Sequence, residues 1–160
     1  AHRAPTRALH CRRMLRWETR TFSSLDASEL YDVLALRQLV FVVEQKCIYV
    51  DCDHKDRDAL HVLGRDEGGK LVAYARLLPA GKIFAEPAIG RVVTHPDARG
   101  AGAGRALMNV AVAEAQKAFG NVPIRIGAQR YLTRFYESLG FRAVGPEYDE
   151  DGIPHVEMLL

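Results

Sequence analysis

Apolar and polar residues alternate at two different periods along this chain, and the changes of period mark its elements. Residues 15–22 (LRWETRTF) alternate with the two-residue period of a half-buried strand. Asp26 followed three residues later by Glu29 is an Asp version of a capping box, predicting a helix that starts there. Leu30, Tyr31, Leu34, Val40 and Phe41 then give a roughly helical apolar face running to about Gln45. Residues 46–58 are polar and irregular. Residues 59–65 and 70–78, separated by Asp66-Glu67-Gly68-Gly69, read as a hairpin.

The second half carries the same kinds of signal. Residues 88–94 (AIGRVVT) form a strand that runs into His95-Pro96 and a glycine-rich loop. A helix is predicted over about 102–119, with Leu107, Val110, Ala111 and Ala118 facing inward and Gly120 stopping it. A strand near 122–128 follows, then a short helix near 130–139 with Leu132, Phe135, Tyr136 and Leu139 at helical spacing, closed by Gly140. Two last strands, 141–145 and 154–160, flank the acidic turn Glu147–Gly152. The order β-α-β-β-β-α-β-α-β-β is that of an α/β protein with a mixed sheet.

Composition narrows the classes without naming one. The 160 residues suit one domain with one core, and 48% hydrophobic with 26% charged residues is ordinary for a globular protein. No apolar run is long enough to span a bilayer, and no membrane partner is expected. The net charge of +2 favours neither nucleic acid nor membrane surfaces. That excess sits early: Arg3, Arg7, Arg12, Arg13 and Arg16 all precede the first acidic residue, Glu18. Residues 1–13 lack periodicity, so they are expected to be a disordered upstream extension or a remnant of cloning. Met14 is then the natural start and 14–160 a single domain. Only this basic arm favours a nucleic-acid role, and the body lacks an aromatic-basic stripe. Cys11, Cys47 and Cys52 form no disulfide framework and read as free thiols of a cytoplasmic protein.

No metal is expected. Counted from Asp51, the cluster at 51–58 would need Gly at its sixth position and Glu at its twelfth to be an EF-hand, where Asp56 and Val62 stand. Cys47 and Cys52 have no second Cys/His pair for zinc. As a lid over a binding site, this loop and the Glu147–Asp151 turn would create negative potential favouring cationic amines; two solvated acidic loops is the other reading.

The strongest local signal is Arg99-Gly100-Ala101-Gly102-Ala103-Gly104-Arg105, between a strand and a helix. Glycines let the backbone turn sharply and bring several amides to one anion. The helix start adds unsatisfied N–H groups and the positive end of its dipole. Arg99 and Arg105 add charge, and a pyrophosphate fits. The loop lacks the Gly-Lys-Ser/Thr ending of a P-loop, and Arg105 stands where a dinucleotide fingerprint needs its third glycine. A glycine-rich helix entry with no ligand is the plain alternative.

The run VVTHPDARGAGAGRALM resembles the acetyl-CoA segment of the GNAT N-acetyltransferase superfamily, with its Gln/Arg-x-x-Gly-x-Gly/Ala pattern. FYESLGF at 135–141 resembles that superfamily's second segment. FVVEQKCIYVDCD, VAYARLL, IGRVV, GAQ and EDGIPH together resemble the ElaA-like subfamily. The likeness covers nearly the whole chain after Met14. It implies a mixed, mostly antiparallel sheet of about six to seven strands flanked by about four helices.

The resemblance also implies roles. Arg91, Val92 and Val93 would offer backbone groups to the pantetheine arm of acetyl-CoA, by strand addition at a splayed edge. The amides from Arg99 to Arg105 would hold the pyrophosphate, with Gln129 and Phe135 also contacting the cofactor. An amide near Val93 would polarise the thioester carbonyl. Tyr136 stands where the superfamily places its general acid; packing in the core is the competing reading. Some relatives use a Glu on the fifth strand as base, but Ile124 stands there. Glu44, which closes the first helical region where such folds place the acceptor site, is the leading candidate base, ahead of His61, Glu86 and His155. The reaction implied is acetyl transfer to a primary amine by direct attack in a ternary complex; an acyl-CoA-binding sensor or interaction module without turnover is the alternative. Homodimerisation is an expectation from the family alone.

Overall fold

The computed structural model describes residues 14–160; the expectations for residues 1–13 lie outside them. Eight strands, β1 (Arg16–Thr21), β2 (Leu60–Arg65), β3 (Leu71–Leu78), β4 (Ala88–Thr94), β5 (Arg125–Gln129), β6 (Arg142–Ala143), β7 (Tyr148–Glu150) and β8 (Ile153–Leu159), form one mixed sheet. Its order is β1-β2-β3-β4-β5-β8-β6, with β7 also paired to β8. Three α-helices are described: α1 (Ala27–Arg37), α2 (Ala103–Phe119) and α3 (Thr133–Glu137).

All eight residues of β3 are buried, because helices cover the sheet on both faces. On one face α2 sets Leu107, Met108, Ala111 and Ala115 against Ala73, Ala75 and Leu77. On the other, α1 and the helical turns after it set Val33, Leu36 and Val40 against Leu63, Tyr74 and Val93. The capping box at the start of α1 is formed in both directions: the Glu29 amide donates to Asp26 Oδ1 at 2.7 Å, and the Asp26 amide to Glu29 Oε2 at 3.0 Å.

Several expectations need correction. The buried stripe of α1 is Val33, Leu36 and Arg37, continued by Val40 in the next segment, and Tyr31 is exposed. The stripe contains an arginine, so a search for apolar residues alone drifts off it. The helix does not continue to Gln45 as α-helix either; Gln38–Glu44 widens into π-helical turns, closed by Gln45 N–H donating to Val40 O at 3.0 Å. In α2 the inward position is Ala115, while Ala118 is exposed. The 130–139 helix is a 3₁₀ turn, Arg130–Leu132, followed by α3. The acidic turn contains β7, which sequence alternation does not show because all three of its residues are exposed.

Gly64 carries a steric constraint. A Cβ there would lie 2.5 Å from Trp17 Cζ3 and 3.0 Å from Ala73 Cβ. Gly64→Ala is expected to destabilise the protein by about 1–3 kcal/mol through overpacking, measured by urea denaturation. A wild-type midpoint would show that the indole moves aside freely.

Candidate active site

The site begins where the sheet comes apart. β4 and β5 run parallel but pair at a single position, Ala88 with Arg125. A strap holds this closed end: Arg125 grips Glu86 through two bonds of 2.8 and 2.9 Å and Glu157 through one of 2.7 Å. Arg125 holds the Glu86 carboxyl down to about 2. Glu86 is therefore committed to the strap, which removes it as a base candidate. Beyond Ala88 the strands diverge, leaving an edge of β4 without a neighbouring strand.

That edge is shaped by a bulge. Tyr74 pairs with Val93, but Arg76 pairs with Gly90, so one β3 residue opposes both Arg91 and Val92. Arg91 takes a left-handed conformation with φ +49°. For a residue with a Cβ this costs on the order of 1–2 kcal/mol. A bulge re-aims the backbone groups beside it, and here those belong to Val92, half-buried, and Val93, buried.

β4 leads through His95-Pro96 into the glycine loop. Gly100 and Gly102 have φ of +85° and +82°, a backbone that glycine adopts without penalty. Ala106 N–H bonds back to Gly102 O at 3.0 Å, and it is the first amide of α2 to bond backward. The amides of Ala103, Gly104 and Arg105 are thus the unpaired first turn of a 17-residue helix. The side chains of this segment do more than supply charge. Arg99 Nη2 meets Glu44 Oε1 at 2.7 Å and donates to Thr94 O at 3.2 Å. Arg105 reaches to α3, donating to Ser138 Oγ at 2.7 Å across the Phe135 ring. A Cβ at Gly104 would lie 3.8 Å from Phe135 Cζ, an ordinary van der Waals contact, so the ring's approach does not require glycine there.

The cleft between β4 and β5 has a volume of about 590 Å³. Val92, Val93, Arg99, Gln129 and Tyr136 line it, together with Glu44, Tyr49, Arg91, Tyr148 and His155. Tyr136 is buried, its ring edge-on to Phe135 and Phe141. Both sequence readings therefore hold: the ring is core and the residue lines the cleft. Its hydroxyl has no hydrogen-bond partner among the described residues. Burial, with a smaller contribution from Tyr131, pushes it up to about 12. It is protonated at neutral pH, fit to donate a proton and unfit to take one. Gln129, on β5, donates to Gln45 Oε1 at 3.2 Å, bridging β5 to the π-helical segment.

His61 is corrected as well. It is fully buried, with Nε2 against Asp56 O at 2.9 Å and Nδ1 against Tyr74 Oη at 2.8 Å. The carbonyl fixes Nε2 as donor, so Nδ1 accepts from the phenol, and burial lowers the imidazole's basicity. It is a structural histidine. His155 differs: Nδ1 donates to Ile153 O at 2.7 Å, and Nε2 lies 3.5 Å from Glu150 Oε2.

The acidic loop is not a free negative surface. Asp51 is bound by Arg37 at 2.6 Å and Arg91 at 2.8 Å; Asp56 by Arg37 at 2.7 Å and Arg76 at 3.0 Å; Asp53 by Arg76 through bonds of 2.7 and 2.8 Å. Three arginines from α1, β3 and β4 neutralise three aspartates. Burial pushes the Asp53 and Asp56 carboxyls up, but their arginines outweigh it and hold both below the usual carboxylate range. Sequence reasoning missed Arg37 and Arg76. The available signal was a lone arginine in each of two otherwise apolar stretches, with Asp51, Asp53 and Asp56 between them to receive them. The remaining acidic lining of the cleft is Glu44, Glu150 and Asp151. Among the described residues no group of three or more His, Cys, Asp or Glu side chains is arranged to hold a metal, and no helix is long and apolar enough to cross a membrane.

A splayed parallel pair, a bulged edge and a glycine loop opening a helix define the acyl-CoA N-acyltransferase fold. Residues 34–160 match the family model described as acetyltransferase (GNAT) domain, and the chain belongs to that family. Within it the subfamily is the ElaA-like one: Protein ElaA of Escherichia coli is 41% identical over 147 residues, 91% of this chain and 95% of that protein. The crystal structure of E. coli ElaA superposes with a TM-score of 0.85 at 40% identity, covering 91% of this chain and 99% of that one. An acyl-CoA N-acyltransferase from Pseudomonas aeruginosa gives 0.86 at 40% identity with the same coverage. An aminoglycoside 6'-N-acetyltransferase complexed with coenzyme A shares the fold, with a TM-score of 0.66 at 18% identity over 89% of this chain and 96% of that one.

Proposed function

We propose that this protein transfers the acetyl group of acetyl-CoA to a primary amine by direct attack in a ternary complex. The observation that carries the reading is one continuous run of backbone groups. It starts at the bulged edge of β4 and ends at the unpaired amides of the glycine loop, and an unpartnered phenol faces the same cleft. The edge at Arg91, Val92 and Val93 suits the amide-rich pantetheine arm, and the amides from Gly100 to Arg105 suit a pyrophosphate. An N–H from the Val92–Val93 segment then stabilises the oxygen of the thioester carbonyl as the amine adds. Tyr136 protonates the leaving sulfur.

The amine must lose a proton before or during attack. Glu44 takes it in this reading. Its partner Arg99 stands at the mouth of the pyrophosphate site, so an arriving diphosphate competes for the guanidinium and frees the carboxylate. Acetyl-CoA therefore binds before the amine. Glu150 and Asp151 give the acceptor side its preference for a cation.

The test is CoA release from acetyl-CoA against a panel of small amines, lysine peptides and N-terminal peptides. Release with one acceptor class, well above hydrolysis, is the expected result. Tight acetyl-CoA binding without release for any member would favour a non-catalytic acyl-CoA-binding module.

A further inference from the structure

The bulge in β4 exists against a local preference, and the structure shows what holds it. Arg91 is not a glycine, yet it sits at φ +49°. Its guanidinium is fastened on several sides. Nε donates to Asp51 Oδ1 at 2.8 Å, Nη2 donates to Asp51 O at 3.1 Å, and Asp53 Oδ2 lies 3.5 Å away. The Tyr49 ring stacks beside it at 5.9 Å, and Tyr49 Oη donates to the same Asp51 oxygen at 2.9 Å. Asp51 is itself held from behind: Arg37, fully buried on α1, donates to Asp51 Oδ2 at 2.6 Å and to Asp51 O at 3.0 Å. The buried base of the loop therefore anchors one side chain on the strand that faces the cleft.

We propose that Asp51 is a positioning residue: by clamping Arg91 it keeps β4 bulged and so fixes which way the Val92 and Val93 amides point at the edge of the cleft. This rests on the acetyl-transfer reading for its consequence in turnover, but the clamp itself is a statement about backbone geometry. Hydrogen bonds to both the carboxylate and the carbonyl of Asp51 fix that residue in position and orientation. A surface ion pair would supply neither. Arg91 touches the amides only through its own backbone, so the effect of Asp51 on chemistry passes through conformation. Release of the clamp lets Arg91 relax toward negative φ, which re-registers β4 against β3 and swings the amides away.

The test separates clamp from chemistry. In the ¹⁵N-labelled chain with saturating acetyl-CoA, Asp51→Asn is expected to displace the Val92 and Val93 amide resonances. With the amine that gives release, kcat falls roughly 10- to 100-fold, as expected for displaced reacting groups. KM for acetyl-CoA stays within about threefold, since the glycine loop is untouched. Adding Arg91→Gly to Asp51→Asn returns the resonances toward wild type and recovers about tenfold in kcat, because glycine adopts φ +49° without a clamp. Adding Arg91→Ala recovers neither. Equal behaviour of the glycine and alanine variants overturns the proposal, as does an Asp51→Asn protein with wild-type amides. If Asp51→Asn does not fold, the single variants Arg91→Gly and Arg91→Ala carry the same contrast. If wild type shows no turnover, the acetyl-transfer reading fails, while the resonances still decide the clamp.

Discussion

Arg37→Ala is expected to lower the unfolding free energy by about 3–5 kcal/mol, the usual cost of leaving buried charge without its partner. Arg37 is fully buried and supplies hydrogen bonds to Asp51 Oδ2, Asp51 O and Asp56 Oδ1. Its loss leaves Asp56 with Arg76 and Asp51 with Arg91 and the Tyr49 hydroxyl, both carboxylates away from bulk water. For a chain of this size the melting temperature should fall by roughly 10 °C or more. The dependence on pH identifies the cause. Asp56, one of Arg37's partners, has a folded-state pKa below the usual range, so its contribution is fully present above the unfolded carboxylate pKa near ~4 and is lost as pH falls through the folded value. In Arg37→Ala the Asp56 carboxyl, no longer held by Arg37, protonates more easily, which relieves the penalty in acid. Differential scanning calorimetry from pH 7 to pH 4 should show the gap between variant and wild type narrowing. A gap independent of pH would mean that Arg37 acts through packing volume and not through charge.

Tyr136→Phe is expected to reduce kcat by about 10²- to 10⁴-fold, the range for losing a positioned proton donor, with KM for acetyl-CoA little changed. The geometry makes this substitution unusually clean. The ring stays between Phe135 and Phe141, and the hydroxyl it removes has no hydrogen bond to any other described residue. Melting temperature should therefore stay close to wild type, so lost turnover cannot be blamed on lost structure. With its pKa pushed up to about 12, the phenol stays protonated across the working range. Its deprotonation contributes no alkaline limb to the rate profile below about pH 10. Steady-state rates at saturating acetyl-CoA decide the matter, and an unchanged kcat would remove Tyr136 from the mechanism.

Much of the fold was legible because its signals were local. The residue 88–94 strand, the stop of α2 at Gly120 and the Asp26/Glu29 box each depend on a few neighbouring residues, and each stands where the pattern puts it. The glycine loop was legible for the same reason, since positive φ at Gly100 and Gly102 leaves a trace in composition. What stayed hidden was set by distant partners. Arg37 and Arg76 look like breaks in apolar patterns until Asp51, Asp53 and Asp56 arrive from another segment to neutralise them. The same aspartates read as a solvated acidic lid because their partners come from three other elements. His61 and Glu86 looked like available bases for a related reason: a titratable side chain shows its chemistry in sequence but not whether Tyr74 or Arg125 has already claimed it. β7 was invisible because an exposed three-residue strand has no buried face to impose alternation.

The single rung between Ala88 and Arg125 has a wider consequence. Every other central junction of the sheet is a long antiparallel ladder, so the molecule is two stiff plates stitched at one corner. A ligand lying along the open edge of β4 takes the place of the missing neighbour strand and acts as mortar between the plates. The weakest seam of the architecture and the place for its cosubstrate are then the same, and substitutions that bring the two plates together more tightly do so by filling the slot that the protein needs empty.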